Sequence, residues 1–188
     1  SCSGLWVREH VFARSLGTPN LGFEFAGSDV HNLHAIDSDR NNQRSNKLFE
    51  NAASSIASFT TTSGNWYPGD EWRGDVARII MYMYLRYPTQ CLPNNIGVGA
   101  NTYAPNADIP NVFLDWNAID PPSTHEMNRN NAIQNTQGNR NPFIDNPYLA
   151  TLIWNGPTTT DSWNALATNQ YNIAELIVYP TVTSDIVY

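Results

Sequence analysis

Apolar side chains recur every three or four residues between Glu71 and Tyr87, which is the period of a helix with one buried face. We expect the Met and Tyr residues of this stretch to lie in the hydrophobic core rather than around a cofactor. The buried face is predicted to run from Asp75 to Tyr87. Pro88 should end the helix, because proline cannot continue the backbone hydrogen-bond pattern.

Further helices are predicted in the second half of the chain. The segment Ser123-Thr124-His125-Glu126 has the Ser-x-x-Glu spacing of a capping box, which opens a helix, and Gly138 is suited to end it. Short helices are also predicted over residues 111–119 and 147–154. Segments rich in Ser, Thr, Pro, Gly or Asn predict loops over residues 54–64 and 89–111.

The first part of the chain has the composition of strands. β-Branched and aromatic residues from Leu5 to Phe12 predict one strand, and residues 29–35 predict a second one after a turn-rich segment. Asp37 is placed to cap a short helix that runs to Asn46. Two short strands followed by helices indicate an α+β fold, in which a β-hairpin plus a helix packs against several helices.

Length and composition favour one compact domain. The chain has 188 residues, of which 41% are apolar, so it can bury a core. We expect a soluble protein, mature or trimmed, because no apolar run approaches the twenty residues of a membrane helix and no leader is visible. The net charge of -7 opposes binding to nucleic acid, but residues 1–47 are formally neutral, with five basic and five acidic groups.

Candidate chemistry begins at the adjacent pair Glu9 and His10. A carboxylate and a nearby carboxamide such as that of Asn41 would supply oxygen ligands to a hard divalent cation, and an imidazole would supply a base for water. Neighbouring side chains in a regular strand face opposite ways, so the pair can share one site only at a strand end or a bulge.

Five short blocks along the chain form a larger pattern. They are Arg8-Glu9-His10-Val11, Asp29-x-His31-Asn32-Leu33, Asn41-x-x-Arg44-Ser45-Asn46, Gly74-Asp75-x-Ala77-Arg78, and Arg129-Asn130-x-Ala132-Ile133 with Gln137-Gly138-Asn139-Arg140-Asn141-Pro142-Phe143. In this order the blocks resemble the bacterial secreted endonuclease I family, which belongs to the His-Me finger (ββα-metal) class. The resemblance covers roughly residues 6–154.

The resemblance implies a role for each residue of the candidate site. His10 matches the general base that deprotonates the attacking water, and Glu9 and Asn41 match the positions that bind the metal. The implied cofactor is one divalent cation, with magnesium favoured and manganese or calcium as alternatives, because oxygen ligands suit all three.

Other motif residues are given supporting roles by the same resemblance. Asp29 and His31 would orient the site without binding the metal. Arg44 and Arg140 would bind a substrate phosphate through two parallel hydrogen bonds, and a structural salt bridge is the alternative for each of them.

The implied function is hydrolysis of phosphodiester bonds in DNA, and also in RNA, with little sequence preference and with 5′-phosphate ends. We expect contacts through backbone phosphates, no membrane contact, a monomer, and a secreted or periplasmic location. The nuclease domain is expected to span residues 1–156, followed by a C-terminal extension over residues 157–188.

Two other functions stay open at this point. One is a zinc-dependent phosphohydrolase built on His10, His31 and His34, although a His-x-x-His spacing on a strand would point its two rings to opposite faces. The other is a non-catalytic extracellular binding module that is stabilised by a metal.

Two features outside the motifs carry weaker expectations. Residues 172–180 predict a strand and a turn that resemble the opening of the C-terminal sorting segments of type IX secretion cargo, and an ordinary edge strand is the alternative. Cys2 and Cys91 permit one disulfide, and two unrelated free thiols are the alternative.

Overall fold

A computed structural model describes residues 5–164. These residues form small antiparallel sheets and several helices, which makes the protein α+β as predicted. The strands are β1 (Trp6–His10), β2 (Leu33–Asp37), β3 (Phe59–Thr60) and β4 (Trp66–Tyr67). The helices are α1 (Ser38–Arg44), α2 (Arg73–Arg86), α3 (Asn111–Ile119), α4 (Thr124–Gln137), α5 (Pro142–Asp145) and α6 (Tyr148–Trp154). Short 3-10 turns lie at Arg14–Leu16, Phe25–Gly27, Val30–Asn32 and Pro93–Asn95.

The first sheet and α1 form a continuous unit. β1 pairs antiparallel with β2, and His10 at the end of β1 lies opposite Leu33. α1 follows β2 directly because the Asp37 carboxylate accepts hydrogen bonds from the N–H groups of Asp39 and Arg40, at 3.1 and 3.3 Å. Asp37 is therefore the helix cap that the sequence predicts.

The predicted bounds of both strands were wrong. The second strand was expected over residues 29–35 and lies over Leu33–Asp37, because the Asp29 side chain accepts the N–H of His31 at 3.0 Å and bends the chain into a 3-10 turn. The first strand ends at His10 instead of Phe12. Beyond His10, a side chain replaces the backbone partner of the strand. The Asn32 side chain accepts a hydrogen bond from the Phe12 N–H at 2.7 Å.

The central helix is more deeply buried than predicted. α2 ends before Pro88 as expected, but all residues from Gly74 to Met83 are buried, rather than one face. The buried set includes the polar residues Asp75 and Arg78, because neighbouring elements cover α2 on several sides. α3 packs along it and brings Trp116 into edge-to-face contact with three aromatic rings at centroid distances of 6.0–6.3 Å: Phe49, Tyr67 and Phe113.

The other element predictions had mixed outcomes. The helix over residues 111–119 is confirmed, and so is the capping box, in which Ser123 and Glu126 satisfy each other's backbone N–H groups. Gly138 ends α4 with a φ of 84°. The predicted loop over residues 54–64 contains β3, a two-residue strand that is too short to leave a sequence period.

Some predictions fall outside the described residues. The strand over residues 172–180 and Cys2 lie there, whereas Cys91 is described and is buried. In the described part of the chain, no helix is both long enough and apolar enough to cross a membrane.

A buried ion pair joins α2 to α4. The Arg78 guanidinium donates two parallel hydrogen bonds to the Glu126 carboxylate, at 2.7 and 2.6 Å, and a third at 2.6 Å to the carbonyl of Asp120. Both charged side chains are shielded from solvent. Loss of Glu126 would leave the buried Arg78 cation with only the Asp75 carboxylate, 3.5 Å from Nη2, as an ionic partner, which is strongly unfavourable.

We expect Glu126→Ala to lower the free energy of unfolding by about 3–5 kcal/mol, because the buried Arg78 cation loses its two short hydrogen bonds and keeps only the Asp75 carboxylate, at 3.5 Å, as an ionic partner. Urea denaturation of the purified variant measures this change. The control is Glu71→Ala, which removes an exposed carboxylate just before α2 and should change stability by no more than about 0.5 kcal/mol. Equal stability of the two variants would contradict the structural role of the pair.

Candidate active site

The imidazole of His10 is held in one protonation form by the backbone. Its Nε2 atom lies 2.8 Å from the carbonyl oxygen of Gly27. A carbonyl oxygen can only accept a hydrogen bond, so Nε2 carries the proton of the neutral ring. Nδ1 is then the basic nitrogen, and no group in residues 5–164 forms a hydrogen bond with it.

The surroundings of His10 favour its neutral form. Burial lowers the pKa of His10 below its ordinary value of 6.5. The hydrogen bond to Gly27 opposes this change, while the charges of Arg8 and Arg14 add to it. At neutral pH the ring is therefore a base that is ready to accept a proton at Nδ1.

Glu9 lies next to His10 and is largely buried, with a side chain 12% exposed. Its Oε1 atom is 3.2 Å from Nη1 of Arg44, and Oε2 has no partner within the described part of the chain. Burial raises the pKa of Glu9, although the charge of Arg44 opposes that change. A nearby cation would favour the ionised carboxylate further.

Asn41 presents a free carboxamide from α1. It lies three residues before Arg44 and so on the same helix face, and Arg44 contacts Glu9. The face of α1 that carries Asn41 is therefore turned toward the end of β1. The carboxamide makes no hydrogen bond with any described residue. Glu9 and His10 are both paired in the ladder of the first sheet, opposite His34 and Leu33, and neighbouring side chains in such a ladder face opposite ways.

The available donor atoms fit a hard cation. Oε2 of Glu9 and the amide oxygen of Asn41 are oxygen donors, of the kind that magnesium, manganese and calcium prefer. The described residues contain no group of three or more His, Cys, Asp or Glu side chains that could hold a metal. The hypothesis of a zinc site on His10, His31 and His34 is therefore wrong for the structure: the His31 ring is buried and packs 4.5 Å from Tyr82, and His34 lies on β2 opposite Glu9.

The Arg44 side chain contacts several groups of the protein at the end of β1. Its side chain is 2% exposed. Nη1 donates to the carbonyl of His10 at 3.0 Å and Nη2 to that of Val11 at 2.6 Å, and the guanidinium lies over the ring of Phe49. The structure thus favours the salt-bridge alternative for Arg44, because the guanidinium is buried and, of its nitrogens, only Nε has no partner in the described part of the chain.

Arg140 is also occupied by protein partners. Its guanidinium forms two hydrogen bonds with the Asp145 carboxylate, at 2.7 and 2.5 Å, and Nη1 donates to side-chain oxygens of Asn131 and Gln134. This arrangement again corresponds to the structural alternative. A substrate phosphate would have to displace an existing ion pair.

Asp29 and His31 do not touch His10. The buried Asp29 carboxylate accepts hydrogen bonds from Tyr82 and Tyr87 at 2.8 and 2.9 Å, and from the Gln137 side chain at 2.9 Å. His31 faces the carbonyl of Asn139 at 3.3 Å. Both residues connect the segment before β2 to the helices, so an orienting effect on the site would be indirect.

Two residues without a role in the sequence analysis are important for the site. Gly27 supplies the carbonyl that holds His10, and Arg129 donates from Nη2 to the carbonyls of Val30 and Leu33 at 2.7 and 2.6 Å. Arg129 belongs to one of the five motif blocks, so the sequence pattern could have identified it as important. Gly27 has no such signal, because its contact joins residues far apart in sequence.

Gly27 has no room for a side chain. A Cβ atom on Gly27 would lie 1.9 Å from the carbonyl oxygen of Gly22, whereas nothing lies within 4 Å of a Cβ on Gly22. We therefore expect Gly27→Ala to shift the backbone and weaken the hydrogen bond to His10. Long-range ¹⁵N–¹H spectra should show the Nε2–H form of His10 in the parent and in Gly22→Ala, and a mixture of both tautomers in Gly27→Ala. An unchanged spectrum of Gly27→Ala would show that Gly27 does not fix the ring.

Comparisons with known proteins show which family this chain resembles. Residues 1–148 match the family model described as Endonuclease I. Over 165 residues, or 80% of this chain, the sequence is 39% identical to an extracellular ribonuclease of Bacillus amyloliquefaciens, 54% of which is covered. Over 164 residues, again 80% of the chain, it is 38% identical to an extracellular ribonuclease of Bacillus subtilis (strain 168), also with 54% covered.

The chain spans about half the length of these curated relatives. The family model nevertheless covers most of the chain and includes every residue of the candidate site. On this evidence the chain belongs to the Endonuclease I family.

Proposed function

We propose that the protein is a secreted endonuclease that depends on a divalent metal and hydrolyses phosphodiester bonds in RNA and DNA with little sequence preference. The observation that carries this proposal is the fixed form of His10, whose Nδ1 is left as a base, next in the sequence to the largely buried carboxylate of Glu9. The names of the two Bacillus relatives support RNA as a substrate and export from the cell. The hairpin and α1 would then be the His-Me finger.

His10 would act on water. Nδ1 accepts a proton as the water oxygen attacks the phosphorus atom, and general-base catalysis of this kind contributes about 10²- to 10⁴-fold in rate. The bond from phosphorus to the 3′ oxygen breaks, and that oxygen takes up a proton. The products are a 5′-phosphate and a 3′-hydroxyl end.

Glu9 and Asn41 would hold the metal through Oε2 and the amide oxygen. Magnesium is the best candidate, and the same donors accept manganese or calcium. When bound, the cation polarises the phosphoryl group and stabilises the leaving oxygen. The ion pair with Arg44 fixes the other oxygen of Glu9, so the carboxylate approaches the cation in one orientation.

Phosphate contacts would come from arginines close to His10. Arg8 is exposed, and both Arg8 and Arg14 lie near enough to influence the imidazole electrostatically. Arg44 and Arg140 are already bound to carboxylates. We therefore assign the phosphate-binding role to Arg8 and Arg14.

We expect His10→Ala to reduce the rate of plasmid nicking and RNA hydrolysis by about 10²- to 10⁴-fold while metal binding remains, because the imidazole acts on water. Asn41→Ala and Glu9→Gln should weaken metal binding and recover partly at higher magnesium. Metal binding is measured independently by the rise of melting temperature with magnesium. Asn42→Ala, which changes the exposed neighbour of Asn41 on α1, is the matched control and should behave like the parent.

Two outcomes would contradict the mechanism. Near-parental hydrolysis by His10→Ala would exclude the imidazole as the base. Hydrolysis by the parent that persists in excess chelator would exclude the metal. A protein whose melting temperature responds to calcium but that cleaves neither nucleic acid would instead be the metal-stabilised binding module.

The pH dependence should follow the lowered pKa of His10. Since burial lowers that pKa, the neutral base persists to more acidic pH, and the half-maximal rate on the acid side should lie below pH 6.5. A pH–rate profile at saturating magnesium measures this midpoint. The acid-side decline should be absent from the residual activity of His10→Ala. A midpoint above pH 7 in the parent would disagree with the burial of the ring.

A further inference from the structure

The carbonyl that holds His10 lies at the base of a small loop, here called the aromatic loop (residues 22–27). Gly22 and Gly27 are its two ends, and they approach so closely that the Gly22 carbonyl excludes any side chain on Gly27. The turn between them carries Phe23 and Phe25. The loop is thus closed at its base, and its tip consists of two aromatic residues and Glu24.

Both aromatic side chains of the loop face solvent. Phe23 is 83% exposed and Phe25 is 79% exposed, whereas the aromatic rings that contact Trp116 in the core are buried. Two large apolar rings exposed within three residues form a local patch of the kind that marks a binding site. Arg14 lies over one ring, with its guanidinium carbon 4.3 Å from the centroid of Phe23.

The backbone of Phe25 is strained. Its φ is +50°, in the left-handed region that bulky L residues avoid. Such strain persists at functional sites, where it holds a side chain in a required position. Here it keeps an aromatic ring at the loop tip, where burial provides no compensation.

The position of the loop connects these rings to the reaction. Phe25 is two residues before Gly27, whose carbonyl binds His10 at 2.8 Å. Arg14, which covers Phe23, is also one of the two charges that influence the His10 imidazole. An exposed ring and a cation are therefore in contact, and the second ring is two residues from the backbone group that binds His10.

We infer that Phe23 and Phe25 are a platform on which unpaired nucleobases stack next to the cleaved phosphate, so that single-stranded RNA and DNA are the preferred substrates. This inference rests on the proposed function. Aromatic side chains beside basic groups bind single strands because every base has a flat π face, and such stacking tolerates any sequence. Bases of a duplex are already stacked and paired, so they would have to be extruded to reach the platform.

The test measures binding in the presence of EDTA, so that no cleavage takes place. The probes are a short fluorescein-labelled single strand of thymidylates and a fully paired DNA hairpin, and the readout is fluorescence anisotropy. We expect Phe23→Ala to raise the Kd for the single strand roughly 10-fold, the factor that about 1.4 kcal/mol of lost stacking produces. The Kd for the hairpin should change less than about 2-fold. Trp163→Ala, which removes an exposed aromatic ring outside the loop, is the control and should bind both probes like the parent.

Phe25→Gly separates recognition from folding. Glycine adopts a positive φ without strain, so the melting temperature should stay the same or rise, while the Kd for the single strand rises as in Phe23→Ala. Phe23→Trp should retain the parental Kd, because it preserves a stacking surface. A ring that serves only the fold would give the opposite result, with a lower melting temperature and unchanged binding.

The inference is overturned if the loop variants keep the parental Kd for the single strand, or if they lose affinity for both probes equally. Failure of the proposed function is recognised separately, because it concerns hydrolysis with magnesium. If the parent protein binds single strands through Phe23 and Phe25 but does not cleave them, the proposed nuclease function is wrong. The inferred role of the two rings in binding would still hold.

Discussion

The carboxylate of Asp29 is buried, and it accepts hydrogen bonds from separate parts of the chain. Its donors are the N–H of His31, the hydroxyls of Tyr82 and Tyr87 and the side chain of Gln137, and Arg86 lies 3.3 Å away. A buried charge without such partners would be very costly, so the donors fix the chain around Asp29 against α2 and α4. Gly27 precedes Asp29 by two residues and holds His10. The Asp29 carboxylate is thus linked to His10 through two residues of backbone.

Buried arginines complete this frame. Arg44 binds the carbonyls of His10 and Val11 together with the Glu9 carboxylate, so the end of β1 and the proposed metal ligand share one anchor on α1. Arg129 holds the turn before β2 in a similar way. Arginine suits this task because its planar fork donates to several acceptors at once and keeps its charge when buried. The site is therefore built on rigid elements, which favours accurate placement of a base and its metal ligands.

The sequence predicted the parts of the structure that depend on local chemistry. The Asp37 cap, the Ser123–Glu126 capping box and the helix over residues 111–119 rest on contacts between near neighbours, and all three are present. The start of the second strand was wrong because the Asp29 side chain competes with the strand for backbone donors. The role of Gly27 could not be predicted, and for Arg44 the sequence left a phosphate contact and a salt bridge open, because their contacts join residues 17 to 34 positions apart. An arginine in a motif block has the same appearance in sequence whether it meets a phosphate or a carbonyl.

The close approach of Gly22 and Gly27 also bears on how such a protein can diversify. Because the loop closes on itself at its base, residues 23–25 can vary in chemistry while the Gly27 carbonyl remains in place under the imidazole. If the tip binds nucleic acid as we infer, substitutions there would alter which nucleic acids are recognised without moving the backbone that binds His10. The tip can vary independently of the base because the backbones of Gly22 and Gly27 approach each other closely, which is possible only without a side chain at Gly27.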